Sequence, residues 1–293
     1  RLEDSHRKPS KSDPAIRAGE FVLGYRNEYG QYPTLPDING DDSIGRNGTY
    51  LVFRKLYQDV AGFWNFMAET AENEGERLIP GTTSADRMLW LAAKCMGRWP
   101  SGVPLTMAPD ADDPSIDSAD INHFLYAKRD LHGLKCPLGS HMRRMNPRDS
   151  EEPNPEESLK KSNRHMLIRR GLPYGTPLFD VEKGMPTGKI EDDGEDRGLV
   201  FLCINANIER QFEFIMQTWA NNPKFHALYN DRDPIIGNNT RTEDGNGTGE
   251  ITIQYAPVRK RVKGIPRFVE VKGGGYFFMP GIRALKFLTQ AID

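Results

Sequence analysis

Residues 135–149 read Lys-Cys-Pro-Leu-Gly-Ser-His-Met-Arg-Arg-Met-Asn-Pro-Arg-Asp, and this short stretch gathers side chains suited to holding a reactive group. A histidine that binds a metal needs one free imidazole nitrogen and a partner that fixes the other. Arginines pair with carboxylates through parallel N–H···O bonds, as the propionates of a haem would require. His141, followed by Arg143, Arg144 and Arg148, offers both kinds of group. Gly139-Ser140-His141-Met142 also spells an expression-tag scar, but tags sit at chain ends. Here the run lies deep in the sequence and continues into a basic segment, so we read it as native. On residue types alone, a structural histidine and a ligand both stay open.

Other polar clusters carry less chemistry. The acidic run Asp110–Asp117 lacks the glycine and terminal glutamate of a calcium-binding loop, and Glu151–Glu157 reads as a charged surface insertion. The glycine-rich segments at 237–249 and 273–275 do not lie between a strand and a helix start, so they read as loops rather than phosphate cradles. Three cysteines, Cys95, Cys136 and Cys203, make neither a disulfide framework nor a CxxC zinc pair.

The chain has 293 residues, enough for one large domain or two smaller ones. Lys plus Arg number 39 against 41 Asp plus Glu, a net charge of -2 that gives no basic field for nucleic acid. No apolar run approaches the ~20 residues that span a bilayer, and the charged opening Arg1–Pro14 is unlike a signal peptide. Because the first residue is Arg, the chain is expected to be a processed or incomplete piece of a longer protein.

The elements that must position His141 read as mixed α and β. Thr49–Leu56 is rich in β-formers and reads as a strand. Val60, Phe63, Trp64, Met67, Ala68 and Ala71 recur at helical spacing behind Asp59 as N-cap, and a second helix fits 85–96 between Ser84 as cap and Gly97 as stop. Leu199–Ile204 is a continuous apolar run that suits a strand buried on both faces. Ile208, Phe212, Ile215, Met216 and Trp219 mark a helix capped by Asn207. Gly273-Gly-Gly-Tyr276-Phe-Phe-Met-Pro280 reads as a last strand, and Ile282, Leu285, Leu288 and Ile292 mark a closing helix. With one further strand in the middle, near His165–Arg169, this order predicts an α+β, ferredoxin-like βαββαβ antiparallel sheet with helices on one face and long irregular insertions. Residues 1–45 read as a linker or irregular segment and 46–293 as the domain.

The segment His141–Arg148, preceded by Cys136-Pro-Leu-Gly, resembles the proximal-histidine segment of the dye-decolourising (DyP-type) haem peroxidases. Gly45–Arg54 with Gln58–Val60, Leu89–Pro100, Leu167–Gly175, Gly198–Ala206 and Tyr276–Pro280 resemble that family in the same order, so the likeness covers almost the whole chain. It implies an enzyme that uses haem b (iron protoporphyrin IX), reduces hydrogen peroxide and oxidises bulky aromatic, dye- or phenol-like donors in one-electron steps. His141 would be the iron ligand. Arg169 would be the distal, catalytic arginine that stabilises negative charge on peroxide. Leu199 and Phe201 would wall the distal pocket. Arg143 and Arg148 are assigned to the haem propionates, against the alternative that they are solvated or pair with Asp149. Glu270 is a guess for the partner of the second His141 nitrogen. Donors too large for the pocket would be oxidised through a surface Trp or Tyr that the sequence does not single out.

One departure matters. The family's distal aspartate lies in a GxxDG motif, and no GxxDG occurs here: Asp244-Gly245 and Asp193-Gly194 both lack the upstream glycine. The resemblance therefore covers the stretch after that motif and the C-terminal ferredoxin-like domain, and an N-terminal domain or separate chain is expected to carry the distal Asp. The competing reading is a haem-binding protein of the same fold without turnover; a third uses Cys136-Pro137 as a thiolate ligand. A homo-oligomer is compatible with the sequence, and the compartment is undecided.

Overall fold

The computed structural model describes residues 15–38, 40–240, 242, 243 and 247–290. The charged opening 1–14, the Asp244-Gly245 pair and Ile292 lie outside them. Its centre is a four-stranded sheet in the order β2-β3-β1-β6, built from β1 (Thr49–Gln58), β2 (Ile168–Tyr174), β3 (Gly198–Asn205) and β6 (Val269–Met279). Every neighbouring pair is antiparallel. A helix, α1 (Val60–Leu78), follows β1, and a helical segment follows β3, so this sheet has the strand order and connections of the βαββαβ fold. The strand expected near 165–169 is β2, which begins at Ile168 and runs to Tyr174.

Local chemistry explains the boundaries. Asp59 caps α1 by accepting from Gly62 N at 2.7 Å. The second helix, α2 (Ser84–Met96), is capped one residue earlier than expected: Thr83 and Asp86 form a reciprocal capping box, which makes Ser84 the first helical residue. Gly97 ends it at φ 94, a left-handed position that suits glycine. Gly273–Gly275, read from sequence both as a glycine-rich loop and as the start of the last strand, lie inside β6. At Gly274 a Cβ would meet Phe53 O at 2.3 Å, so glycine permits the close pairing with β1.

The helix expected over 208–219 winds as two π-helical stretches, Glu209–Glu213 and Ile215–Ala220, with Glu213 N donating to Ile208 O at 2.9 Å and Asn221 N to Met216 O at 3.2 Å. Asn207 caps it as expected, accepting from Arg210 N. The Gln211 side-chain oxygen accepts from Ala206 N and Asn207 N, while its amide donates to Glu20 O and Met166 O, so one side chain fastens the start of the segment to three neighbours. Glu20 is fully buried and pairs with Arg210 at 2.6 Å, which ties the irregular segment before β1 to the same place.

The main core lies beside the sheet. Trp64, Met67 and Ala71 of α1 pack with Met88 and Leu91 of α2, and with Ile251 and Val262 of a separate hairpin, β4 (Gly249–Ile253) and β5 (Lys260–Ile265), which the sequence reading missed. Three short helices, α3 (Tyr126–Asp130), α4 (His141–Met145) and α5 (Pro155–Asn163), punctuate the long insertion between α2 and β2. The chain closes with α6 (Ile282–Gln290).

The two sheet faces differ. Register places Val52, Arg54, Phe201, Cys203, Arg169 and Tyr276 on one face, where the π-helical segment covers part of it through Phe212. On the other face Ile168, Leu172 and Phe277 remain 44%, 46% and 52% exposed. The run Leu199–Ile204, expected to be buried on both faces, is therefore only partly buried.

Candidate functional site

His141 opens α4 behind Ser140, whose carbonyl accepts from Arg144 N at 3.0 Å. Its Nδ1 lies 2.9 Å from Oδ2 of Asp233, a carboxylate that is completely buried while the imidazole is 25% exposed. The other carboxylate oxygen accepts from Ile235 N at 2.8 Å and Ile236 N at 2.9 Å. Burial pushes the Asp233 carboxyl up, but His141, these backbone bonds and the nearby Arg144 charge outweigh it and hold the group below the usual carboxylate range. An ionised acceptor at Nδ1 favours the tautomer of the neutral ring with its proton on Nδ1 and its lone pair on Nε2, and Nε2 has no hydrogen-bond partner among the described residues.

This donor set fits haem. Among the described residues no three His, Cys, Asp or Glu side chains converge to hold a bare ion. A single held imidazole suits a metal that brings its own equatorial ligands, which is how a proximal histidine meets haem iron.

The structure uses the three nearby arginines differently. Arg143 is fully buried and donates to Asp130 Oδ2 at 3.2 Å, Cys136 O at 3.0 Å and Leu131 O at 3.1 Å, with its guanidinium 4.2 Å from the Tyr126 ring centroid. Turned inward in this way, it holds the loop before α4. Arg144 is likewise buried and bonds only carbonyls. Arg148 is half-buried, donates to Asn122 O and Phe124 O at 3.0 and 2.6 Å, and lies over the Phe124 ring. Asp149 caps α3 through Tyr126 N and Ala127 N. Arg98, which the sequence reading did not single out, stands near Arg148 and Arg169: burial first, then their like charges, lower its pKa.

Arg169, Leu199 and Phe201 are brought together. Arg169 pairs with Cys203, Gly171 with Phe201 and Pro173 with Leu199, so all three face the same side of the sheet. The Arg169 side chain is exposed, without a hydrogen bond or ion pair among the described residues. At Gly171 a Cβ would meet Leu199 Cδ1 at 2.9 Å, so glycine leaves room for that side chain. The π-helical segment joins the two halves: Phe212 packs with Cys203 and Phe201, and the Trp219 carbonyl is bound by Arg144 of α4. A cavity of about 230 Å³ lined by Thr34, Tyr50 and Ala206–Glu209 contains none of these residues.

The other sequence alternatives find little support here. Glu270 lies on exposed β6 and pairs with Lys272 at 2.8 Å; Asp233 takes the role guessed for it. Cys136 is fully buried against Ser140 Oγ at 3.2 Å, and burial raises its pKa, so it is a thiol rather than a thiolate donor at neutral pH.

No protein-family model matches the chain. It is 30% identical over 277 residues to the dye-decolorizing peroxidase msp1 of Mycetinis scorodonius, covering 92% of this chain and 50% of that protein. It is 34% identical to a multifunctional dye peroxidase of Amycolatopsis, covering 87% and 52%. A solved ancestral D-type dye-decolorizing peroxidase superposes with a TM-score of 0.71 at 31% identity, covering 95% of this chain and 58% of that one. A dye-decolorizing peroxidase in complex with 2,6-dimethoxyphenol gives 0.71 at 27% identity, covering 97% and 59%. These relatives and solved neighbours are all dye-decolourising peroxidases, and the likeness in sequence and fold covers most of the chain. The chain thus spans about half the length of the curated dye-decolourising peroxidases it matches.

Proposed function

We propose that this chain is the haem-holding part of a peroxidase that reduces hydrogen peroxide and oxidises bulky aromatic donors by single electrons. The observation that carries the reading is the Asp233-held His141, with its Nε2 free. Bound haem b would supply the redox chemistry that no side chain can. His141 would ligate it through Nε2, and Asp233 would keep that nitrogen basic by accepting from Nδ1. Arg169 would supply a positive charge to stabilise the negative charge that develops on peroxide. Leu199 and Phe201 would restrict water there, while Arg148 and the neighbouring Arg98 are the cations suited to the propionates.

The proton that peroxide cleavage requires needs an acid, and the GxxDG aspartate of the family is absent from this sequence. We assign it to an N-terminal domain or a separate chain, with residues 1–45 as the linker. Two facts support this: the chain spans about half of its relatives, and one face of its sheet is apolar and open. Neither the fold nor the relatives favour a haem binder without turnover. Among the described residues no helix is long and apolar enough to cross a membrane.

The test is an absorption spectrum of the haem-reconstituted chain, before and after one equivalent of hydrogen peroxide, beside His141→Ala. A histidine-type Soret band that His141→Ala abolishes supports the site. No haem uptake by the parent chain overturns it for this chain alone. Rapid conversion by peroxide would place a sufficient acid within the chain; slow bleaching would place it elsewhere.

A further inference from the structure

Arg144 follows His141 by three residues and is fully buried. Its guanidinium makes a single grip on three separate pieces of backbone: Nε donates to Gly139 O at 3.1 Å, Nη1 to Trp219 O at 2.7 Å and Asn222 O at 3.1 Å, and Nη2 to Asp231 O at 2.6 Å. None of these acceptors is a carboxylate, although burial of a cation ordinarily demands one. The nearest negative charges are Asp231 and Asp233, and both act on it. The gripped pieces are those that locate Asp233. Asp233 N donates to Ala220 O at 2.8 Å, between the two carbonyls that Nη1 holds, and Asp231 lies two residues before it.

We propose that Arg144 is the positioning residue for the His141–Asp233 bond: its planar fork locks the Trp219–Asn222 and Asp231–Asp233 segments onto α4, so that the carboxylate meets Nδ1 in line. The fork geometry matters more than the charge. A lysine would bring the charge but could not direct donors at Gly139, Trp219, Asn222 and Asp231 from one plane. This rests on His141 as the haem ligand for its spectroscopic consequence but not for its structural one, and the two are read separately.

The test compares the full chain with Arg144→Lys and Arg144→Met. In haem-free protein at pH 9, ¹⁵N shifts of the His141 ring report which nitrogen carries the proton. The parent should show the Nδ1–H form, and both variants should move toward the Nε2–H form. In haem-loaded protein both should lower the iron–histidine stretching frequency and raise the ferric/ferrous midpoint potential, because a loosened Asp233 makes the imidazole less anionic. Leu23→Ala, at a fully buried position outside the core cluster that holds Ile235, Ile236 and Met142, controls for lost stability and should move neither readout. If Arg144→Lys matches the parent in both, charge rather than the fork is responsible and the proposal fails. It fails equally if the variants lose stability with the His141 shifts unchanged. If one variant does not fold, the other decides. Failure of the parent to take up haem would overturn the ligand reading while the haem-free shifts still test Arg144.

Discussion

His141 Nδ1 and Asp233 Oδ2 stand 2.9 Å apart across 92 residues of sequence, one ring partly open and the other group sealed in the core. Replacing the carboxylate by an amide removes the ionised acceptor while keeping the size. Asp233→Asn should therefore weaken haem retention by roughly 10–100-fold, the usual effect of losing a partner of a metal-bound histidine. Titration of haem into the purified protein, followed at the Soret band, measures it; unchanged affinity would remove Asp233 from the site.

Arg143 should behave unlike a cofactor contact. It and Asp130 form a buried pair with side chains 0% and 2% exposed, and removing one partner leaves the other charge buried. Arg143→Met should cost roughly 3–5 kcal/mol of stability by urea denaturation, while the haem bound per folded molecule stays unchanged. A variant of normal stability that loses haem would restore the propionate assignment.

Much of the fold is legible in the sequence because its strands and helices carry their own signals. Thr49–Leu56 is dense in β-formers, and Asp59 and Gly97 punctuate helices by capping chemistry that works locally. The β4–β5 hairpin escapes because its strands are short and joined through Gln254–Arg259, which carries no tight-turn pair. The site divides along the same line. His141 is visible from its neighbours, whereas Asp233 is found only when the chain is folded, since nothing in spacing links residues so far apart. Arg143 and Arg148 look alike in sequence for the same reason, and only packing separates a cation turned inward from one at the edge.

Arg169 faces the same side as Phe201 and Gly171, exposed and without a counterion among the described residues. Arg169→Leu should leave haem uptake intact and slow the reaction with peroxide by roughly 10²–10³-fold, the scale of losing one charge-stabilising donor. Stopped-flow absorbance of the haem-loaded protein, in the presence of whatever domain supplies the acid, gives the rate; an unaltered rate would remove Arg169 from the distal side.

The open sheet face predicts behaviour in solution. Exposed apolar patches promote association, and Ile168 and Leu172 of β2 and Phe277 of β6 share one face, on the sheet's two edge strands. Leu172→Thr with Phe277→Thr should reduce self-association of the isolated chain in light scattering, with haem uptake unchanged. Equal scattering from parent and variant would mean that another surface drives association.

His165 supplies a pH dependence separate from the site. It stacks on Phe214 with centroids 3.8 Å apart and its Nδ1 lies 2.6 Å from Arg210 O. Burial, reinforced by the charges of Arg210 and its neighbours, lowers its pKa from 6.5 to about 4. The folded state thus resists a proton that the unfolded chain accepts, so stability from this residue is complete above the unfolded pKa and lost as pH falls through the window from 6.5 to about 4. The loss should amount to roughly 2–3 kcal/mol. Urea denaturation across that window should show the decline in the parent and a flatter profile in His165→Gln, whose side chain does not titrate; parallel profiles would mean that His165 is protonated in the folded protein.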